Sequence, residues 1–202
     1  MQIIAHRGAS AYQPENTIEA FRVAQQMGCN YFETDVQMTK DGSLVLWHDY
    51  DIDTHAGKLA GLEELLAILR PGDTLNIEIK NDGNLYPGIE EKILNLLSSG
   101  RADIKEQILI SSFDYPTLQR VRALDKNIKI GVLTKNFNLE EALAIAAYSV
   151  NISIKIVNKE IVDICHKNNL KVLVYTVNTP EEAAAMAAIK VDGIFSDYPN
   201  II

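Results

Sequence analysis

Short β-branched or apolar runs alternate with helix-like segments along all 202 residues, and that rhythm constrains the fold more than any other feature of the chain. Strand-like runs lie near Ile3 to Ala5, Tyr31 to Val36, Leu75 to Ile79 and Ile108 to Ser111. Further runs lie near Lys129 to Leu133, Asn151 to Ile154, Lys171 to Val177 and Gly193 to Phe195. Helical stretches fall between them, near Thr17 to Met27, Leu62 to Leu69, Ile89 to Leu97, Tyr115 to Leu124, Leu139 to Ala147, Lys159 to Lys167 and Pro180 to Ala188. Parallel strands need crossovers, and eight of them with a helix in every gap are expected to close into a (β/α)8 TIM barrel, which has no edges. An open doubly wound sheet fits less well. The first strand–helix turn, His6-Arg7-Gly8-Ala9-Ser10, lacks a glycine-rich dinucleotide fingerprint, and the chemically active residues are spread over several strand ends.

Local signals agree with this division. Glu15-Asn16-Thr17 offers a polar cap before Ile18, Asp114 precedes a helix with Pro116 in its first turn, and Thr179-Pro180-Glu181-Glu182 opens another. No low-complexity run or long linker divides the chain, so residues 1–202 are read as one domain and Asn81-Asp82-Gly83-Asn84 as a polar loop. The barrel rhythm breaks between Val36 and Leu62. There, Thr39-Lys40-Asp41-Gly42-Ser43 before Leu44-Val45-Leu46-Trp47 reads as a hairpin turning on Asp41-Gly42. With those two as the loop, Lys40 pairs with Ser43 and Asp35 faces His48.

Four clusters carry the chemistry: His6-Arg7-Gly8, Glu33-Thr34-Asp35, His48-Asp49 and Glu78-Ile79-Lys80. Their two histidines, three principal carboxylates and two fixed cations fit metal-assisted cleavage of a phosphodiester. Glu33 and Asp35 are two apart on a strand, so both emerge on one face and can clamp one cation; Glu78 and Lys80 repeat the spacing. Left uncompensated in a buried strand, such carboxylates would be costly. Oxygen-only donors favour one hard divalent cation, Mg²⁺ or Ca²⁺, over zinc. Arg7 can grip phosphate oxygens in bidentate fashion, and Gly8 permits close approach. His6 and His48, at adjacent strand ends beside carboxylates, suit acid–base work, whereas His55 in a loop and His166 in a helix do not.

Composition narrows the partners. With 19 basic against 27 acidic residues the net charge is −8, which argues against nucleic acid held by charge attraction and requires any phosphate site to be locally basic. Cys29 and Cys165 lie apart without metal-ligand spacing and read as reduced core thiols. The amino terminus, Met1-Gln2-Ile3-Ile4-Ala5, enters a strand pattern without the marks of a signal peptide, and no apolar run is long enough to span a bilayer. A cytoplasmic enzyme without stable membrane association is expected.

The chain resembles the glycerophosphodiester phosphodiesterase family. The matching pieces are His6-Arg7-Gly8, Glu15-Asn16-Thr17, Glu33-Thr34-Asp35-Val36, Thr39-Lys40-Asp41-Gly42, His48-Asp49, Ile77-Glu78-Ile79-Lys80, Ser111-Ser112-Phe113, Tyr175-Thr176-Val177-Asn178 and Asp192-Gly193-Ile194, in the family's order across nearly the whole sequence. The resemblance implies hydrolysis of glycerophosphodiesters to glycerol 3-phosphate and an alcohol, with a metal on Glu33, Asp35 and Glu78 and His6 and His48 as the acid–base pair. It further implies phosphate binding by Arg7 and Lys80, and aromatic walls from Phe113 and Tyr175. Two departures bear on substrate. Tyr175 stands where the family usually has tryptophan. The segment from Tyr50 to Gly61 is shorter than the family's insertion and lacks its arginine–threonine–threonine signature, keeping only Thr54-His55-Ala56-Gly57, so a small cap is expected.

Two rival readings carry less. Phospholipase D-like toxins and phosphoinositide phospholipases share the barrel and can stop at a cyclic phosphate, but they act at lipid surfaces, and this chain shows no basic amphipathic helix. A silent barrel that only binds phosphorylated metabolites would need the cations but not a histidine pair.

Overall fold

The computed structural model describes residues 1–55, 59–101 and 103–202. Its parallel strands are β1 (Gln2–His6), β2 (Tyr31–Met38), β4 (Thr74–Ile79), β5 (Ile108–Ser112), β6 (Lys129–Thr134), β7 (Ser149–Ser153), β8 (Lys171–Tyr175) and β9 (Gly193–Ser196). They are hydrogen-bonded in that order, and β1 pairs with both β2 and β9, which closes the sheet. The result is an eight-stranded parallel (β/α)8-type barrel. Helices α1 (Ile18–Gln26), α2 (Leu62–Ile68), α3 (Ile89–Ser99), α4 (Tyr115–Leu124), α5 (Leu139–Ala144), α6 (Lys159–Lys167) and α7 (Pro180–Ala188) occupy the gaps.

The caps show why the helices begin where they do. The hydroxyl of Thr17 accepts from the Ala20 amide at 3.2 Å, and Asp114 accepts from Thr117 at 2.9 Å ahead of Pro116. Thr179 and Glu182 form a reciprocal capping box around Pro180. Between strands and helices lies a continuous apolar layer that includes Phe21, Phe32, Ile77, Ile93 and Ile110. A second cluster, Ile4, Tyr31, Leu109, Leu173 and Phe195, fills the barrel itself.

The hairpin strand β3 (Leu44–Leu46) runs antiparallel to β2, but in a different register from that expected. Val36 pairs with Leu46 and Met38 with Leu44, and the Trp47 amide donates to Asp35 O at 3.1 Å, so Trp47 rather than His48 faces Asp35. The cause is a third loop residue. Gly42 donates to Thr39 O at 2.9 Å with φ +84°, and Thr39 and Ser43 close the loop behind it. A type I turn followed by a left-handed glycine makes a three-residue hairpin, and the Thr39 hydroxyl and Asp41 carboxylate secure it by accepting from the Ser43 amide. Beyond β3 the chain forms a 3-10 turn, Ile52–Thr54, with Trp47 and His55 packed edge to face, and an isolated bridge joins Val45 to Gly61. Ala56 and Gly57 of the expected cap remnant lie outside the described residues. Cys29 and Cys165 are free thiols, Cys165 fully buried. Among the described residues no helix is long and apolar enough to cross a membrane.

Candidate active site

The strand ends deliver the four clusters to the carboxyl-terminal mouth of the barrel, where barrel enzymes carry their chemistry. His6, Arg7, Glu33, His48, Glu78, Phe113 and Tyr175 all line one cavity of about 210 Å³. Asp35 pairs in register with Glu78 at the side of the cavity, and Lys80 borders the adjoining groove. All nine residues singled out in the sequence are therefore gathered at one mouth.

Local backbone explains how β1 contributes. Arg7 is left-handed, with φ +57°, and this turns its amide onto Glu33 Oε2 at 3.0 Å. Gly8 follows with φ +83°, and a Cβ there would sit 2.7 Å from the Ala20 backbone. Only glycine allows α1 to pack so closely against this turn. The Arg7 guanidinium is then committed twice: to Glu15 through Nη1 at 2.9 Å, and to Asp35 as an ion pair at 3.0 Å through Nε. Lys80 lies 3.3 Å from Glu78 and 3.9 Å from Asp35.

Glu33, Asp35 and Glu78 are all buried, and each offers an oxygen within 4.8 Å of the others. Burial, reinforced by Asp35 and Glu78, pushes Glu33 well above the ordinary carboxylate range. Glu78 is pushed up to about 7 by burial and by Asp35, against the pull of Lys80. Oδ1 of Asp35 is buried without a hydrogen bond. Three converging oxygen donors, one of them an orphan, fit a hard divalent cation.

Each histidine is oriented by a carboxylate. Nδ1 of His6 donates to Asp197 Oδ1 at 2.7 Å, and its Nε2 lies 3.9 Å from Glu33. Asp197 also accepts from Asn178 at 2.6 Å and from Ser10 at 3.1 Å. Burial opposes ionisation of Asp197, but the hydrogen bonds from His6, Asn178 and Ser10 outweigh it and hold the carboxyl below its ordinary range. Nδ1 of His48 donates to the exposed Asp49 at 2.7 Å. Phe113 and Tyr175 meet edge to face with centroids 5.8 Å apart, and the Tyr175 hydroxyl donates to Thr134 O at 2.8 Å.

The Glycerophosphoryl diester phosphodiesterase family model matches residues 6–65 and 53–201. The chain belongs to this family. A glycerophosphodiester phosphodiesterase of Caldanaerobacter subterraneus subsp. tengcongensis is 36% identical, covering 99% of this chain and 95% of the relative. One from Bacillus altitudinis is 31% identical over 98% and 95%. The fold is shared with a Thermotoga maritima glycerophosphodiester phosphodiesterase at TM-score 0.81 and 25% identity, covering 98% of this chain and 95% of that one. An Oleispira antarctica phosphodiesterase, solved with the product sn-glycerol-3-phosphate, superimposes at TM-score 0.91 and 24% identity, covering 99% and 94%. The two segments matched to the family model overlap at residues 53–65, in the stretch that reads as short for the family. Alignment with the Caldanaerobacter relative spans 233 positions against 202 residues here, so at least 31 positions are missing from this chain.

Two residues at this mouth make contacts that their sequence neighbourhood did not reveal. Asn16, read as part of a helix cap, turns inward: it donates to Asp35 Oδ2 at 3.0 Å and accepts from Thr34 at 2.8 Å, leaving the cap to Thr17. Asp197 meets His6 across 191 residues of chain. Its one sequence signal is its position just past the end of the last strand, where a closed barrel places functional groups.

Proposed function

We propose that this protein hydrolyses glycerophosphodiesters to glycerol 3-phosphate and an alcohol in a metal-dependent reaction, with His6 and His48 exchanging protons with the reacting oxygens. The observation that carries this reading is the pair of histidines on one cavity, each with Nδ1 occupied by a carboxylate so that Nε2 is left for chemistry.

Charge balance supports the metal. Three carboxylates against Arg7 and Lys80 leave the inner site formally negative by one charge, which repels a phosphodiester. Glu33, Asp35 and Glu78 would hold a divalent cation, Mg²⁺ or Ca²⁺, which when bound reverses that balance and supplies Lewis acidity toward the phosphate oxygens. Arg7 and Lys80 then neutralise charge that grows on the phosphoryl group. Asn16 fixes the Asp35 carboxylate for this task.

The positions of the two histidines support distinct roles. His6 lines only the inner cavity, whereas His48 stands where that cavity meets a wider groove. His6 thus takes the proton from the attacking oxygen, whether water or the glycerol 2-hydroxyl, and Asp197 stabilises the resulting imidazolium. His48 delivers a proton to the departing alcohol, and Asp49 holds its ring. Phe113 and Tyr175 form the aromatic wall of the cavity against which the substrate packs.

The test is release of glycerol 3-phosphate from glycerophosphocholine, glycerophosphoethanolamine and glycerophosphoglycerol after chelation and again with Mg²⁺ or Ca²⁺ restored. Product that returns only with the metal is expected. Folded, metal-binding protein that yields none from any of them overturns the reading. Phosphorus NMR during turnover separates the two nucleophiles, since only attack by the glycerol hydroxyl passes through a cyclic phosphate.

A further inference from the structure

The catalytic cavity opens at His48 into a second, wider cavity of about 850 Å³ over the ends of β5 and β6. The two share His48, Phe113, Leu133 and Lys135. The inner cavity is small and floored by Glu33, Asn76 and Phe195, which suits the glycerol phosphate half of a substrate. The leaving alcohol must then pass His48 into the groove.

Lys135 stands at that junction. Its ammonium lies 5.4 Å from the centroid of the Phe113 ring, and among the described residues it forms no ion pair. Of the other charges nearby, Lys80 is paired with Glu78 and Asp35 and Asp114 with Arg120, while Asp82, across the groove, accepts from the Tyr50 hydroxyl and keeps its charge. Glu141 lies farther along the groove, near Asn138. A leaving group threading past His48 therefore meets an uncommitted cation first. The aromatic face that could otherwise attract a quaternary ammonium is already covered by Lys135.

Building on the phosphodiesterase reading, we propose that Lys135 forms an anion subsite for the leaving alcohol, so that this enzyme prefers glycerophosphodiesters whose alcohol bears a carboxylate or a second phosphate. Glycerophosphocholine is the disfavoured class, because its fixed positive charge would be placed beside the Lys135 ammonium.

Two matched pairs test this, by kcat/KM with the restored divalent cation. Glycerophosphoserine differs from glycerophosphoethanolamine by one carboxylate, and terminally phosphorylated glycerophosphoglycerol differs from glycerophosphoglycerol by one phosphate. The anionic member of at least one pair should be favoured by about threefold to tenfold, less so as salt is raised, as for a partly exposed ion pair. Lys135→Gln should bring that ratio close to one, and Lys135→Glu should reverse it. Preference within the serine pair alone assigns the subsite to a carboxylate, and within the phosphate pair alone to a phosphate. Equal rates within both pairs for the wild type, or a ratio that persists in Lys135→Gln, overturn the subsite while leaving the hydrolase intact. No turnover of any of the four overturns the hydrolase reading and the subsite with it.

Discussion

The lower and upper halves of the barrel interior are built on the same strands, the lower fully buried and the upper opening toward the mouth at His6 and Tyr175, and they are held together in opposite ways. On β1 the inward series runs from Ile4 to His6, on β2 from Tyr31 to Glu33 and Asp35, and on β8 from Leu173 to Tyr175. The lower members join Leu109 and Phe195 in an apolar plug. Two residues higher, the same alternation presents carboxylates that repel one another, with an orphaned Asp35 oxygen among them. Packing below thus supports a mouth whose groups would not choose each other's company, and the side-chain period of two keeps the functions separate on one strand.

The strongest way to break this comparison is to exchange the expected costs. His6→Ala should lower kcat by about 10²–10⁴-fold, the usual worth of a positioned acid or base, with substrate affinity and melting temperature little changed. Leu173→Ala, in the plug, should instead cost about 2–5 kcal/mol of unfolding free energy through the cavity it leaves, with kcat within a few-fold where the protein remains folded. Denaturant melts and steady-state kinetics on both variants decide the matter. A kcat collapse in Leu173→Ala, or a large stability loss in His6→Ala, would mean the halves are not separable.

The upper half should also reveal its repulsion through pH. Glu78 has its pKa raised to about 7 from an ordinary 4.5, so its contribution to stability is fully present below about 4.5 and lost as pH rises through about 7. Glu33 is raised in the same sense. Metal-free protein should therefore melt a few degrees lower near pH 8 than near pH 5.5, since about 1 kcal/mol moves the midpoint by roughly 2–4 °C in a domain of this size. Glu78→Gln should weaken that dependence, and Mg²⁺ or Ca²⁺ should raise the melting temperature more at the higher pH, where protons no longer compete for the ligands. A pH-independent midpoint in the metal-free wild type would show that the carboxylates are relaxed without a cation.

Legibility in the sequence follows the same divide. The barrel and the Glu33, Asp35 and Glu78 face were readable because strand period and cluster spacing are local. The hairpin register was not, since two side chains, Thr39 and Asp41, add a third residue to a loop that Asp41-Gly42 could have closed alone. Asn16 was hidden because a residue before a helix cap can turn either way, and only Thr34 and Asp35 pull it inward. Asp197 has no neighbour in sequence that marks it, and barrel closure alone brings it to His6.

Tyr50 offers the smallest and most local sharpening, because it asks whether the mouth is positioned by its strands or also by its rim. Its hydroxyl donates to Asp82 Oδ2 at 2.6 Å, and its ring lies 5.5 Å from Lys80 Nζ. Tyr50 is two residues past His48 and Asp82 two past Lys80, so this contact fastens the loop that carries one histidine to the loop that follows β4. An exposed hydrogen bond to a carboxylate contributes about 0.5–1.5 kcal/mol, equivalent to roughly two- to tenfold in rate if it is used to hold His48. Tyr50→Phe keeps the ring over Lys80 and removes only the latch, so kcat should fall by about that factor while the melting temperature falls by about 1–6 °C, the same 0.5–1.5 kcal/mol read as stability. Adding Asp82→Asn to Tyr50→Phe should cost little more, since the double variant removes the same contact twice. Unchanged kcat in Tyr50→Phe would assign the placement of His48 to the backbone pairing of β3 with β2 alone.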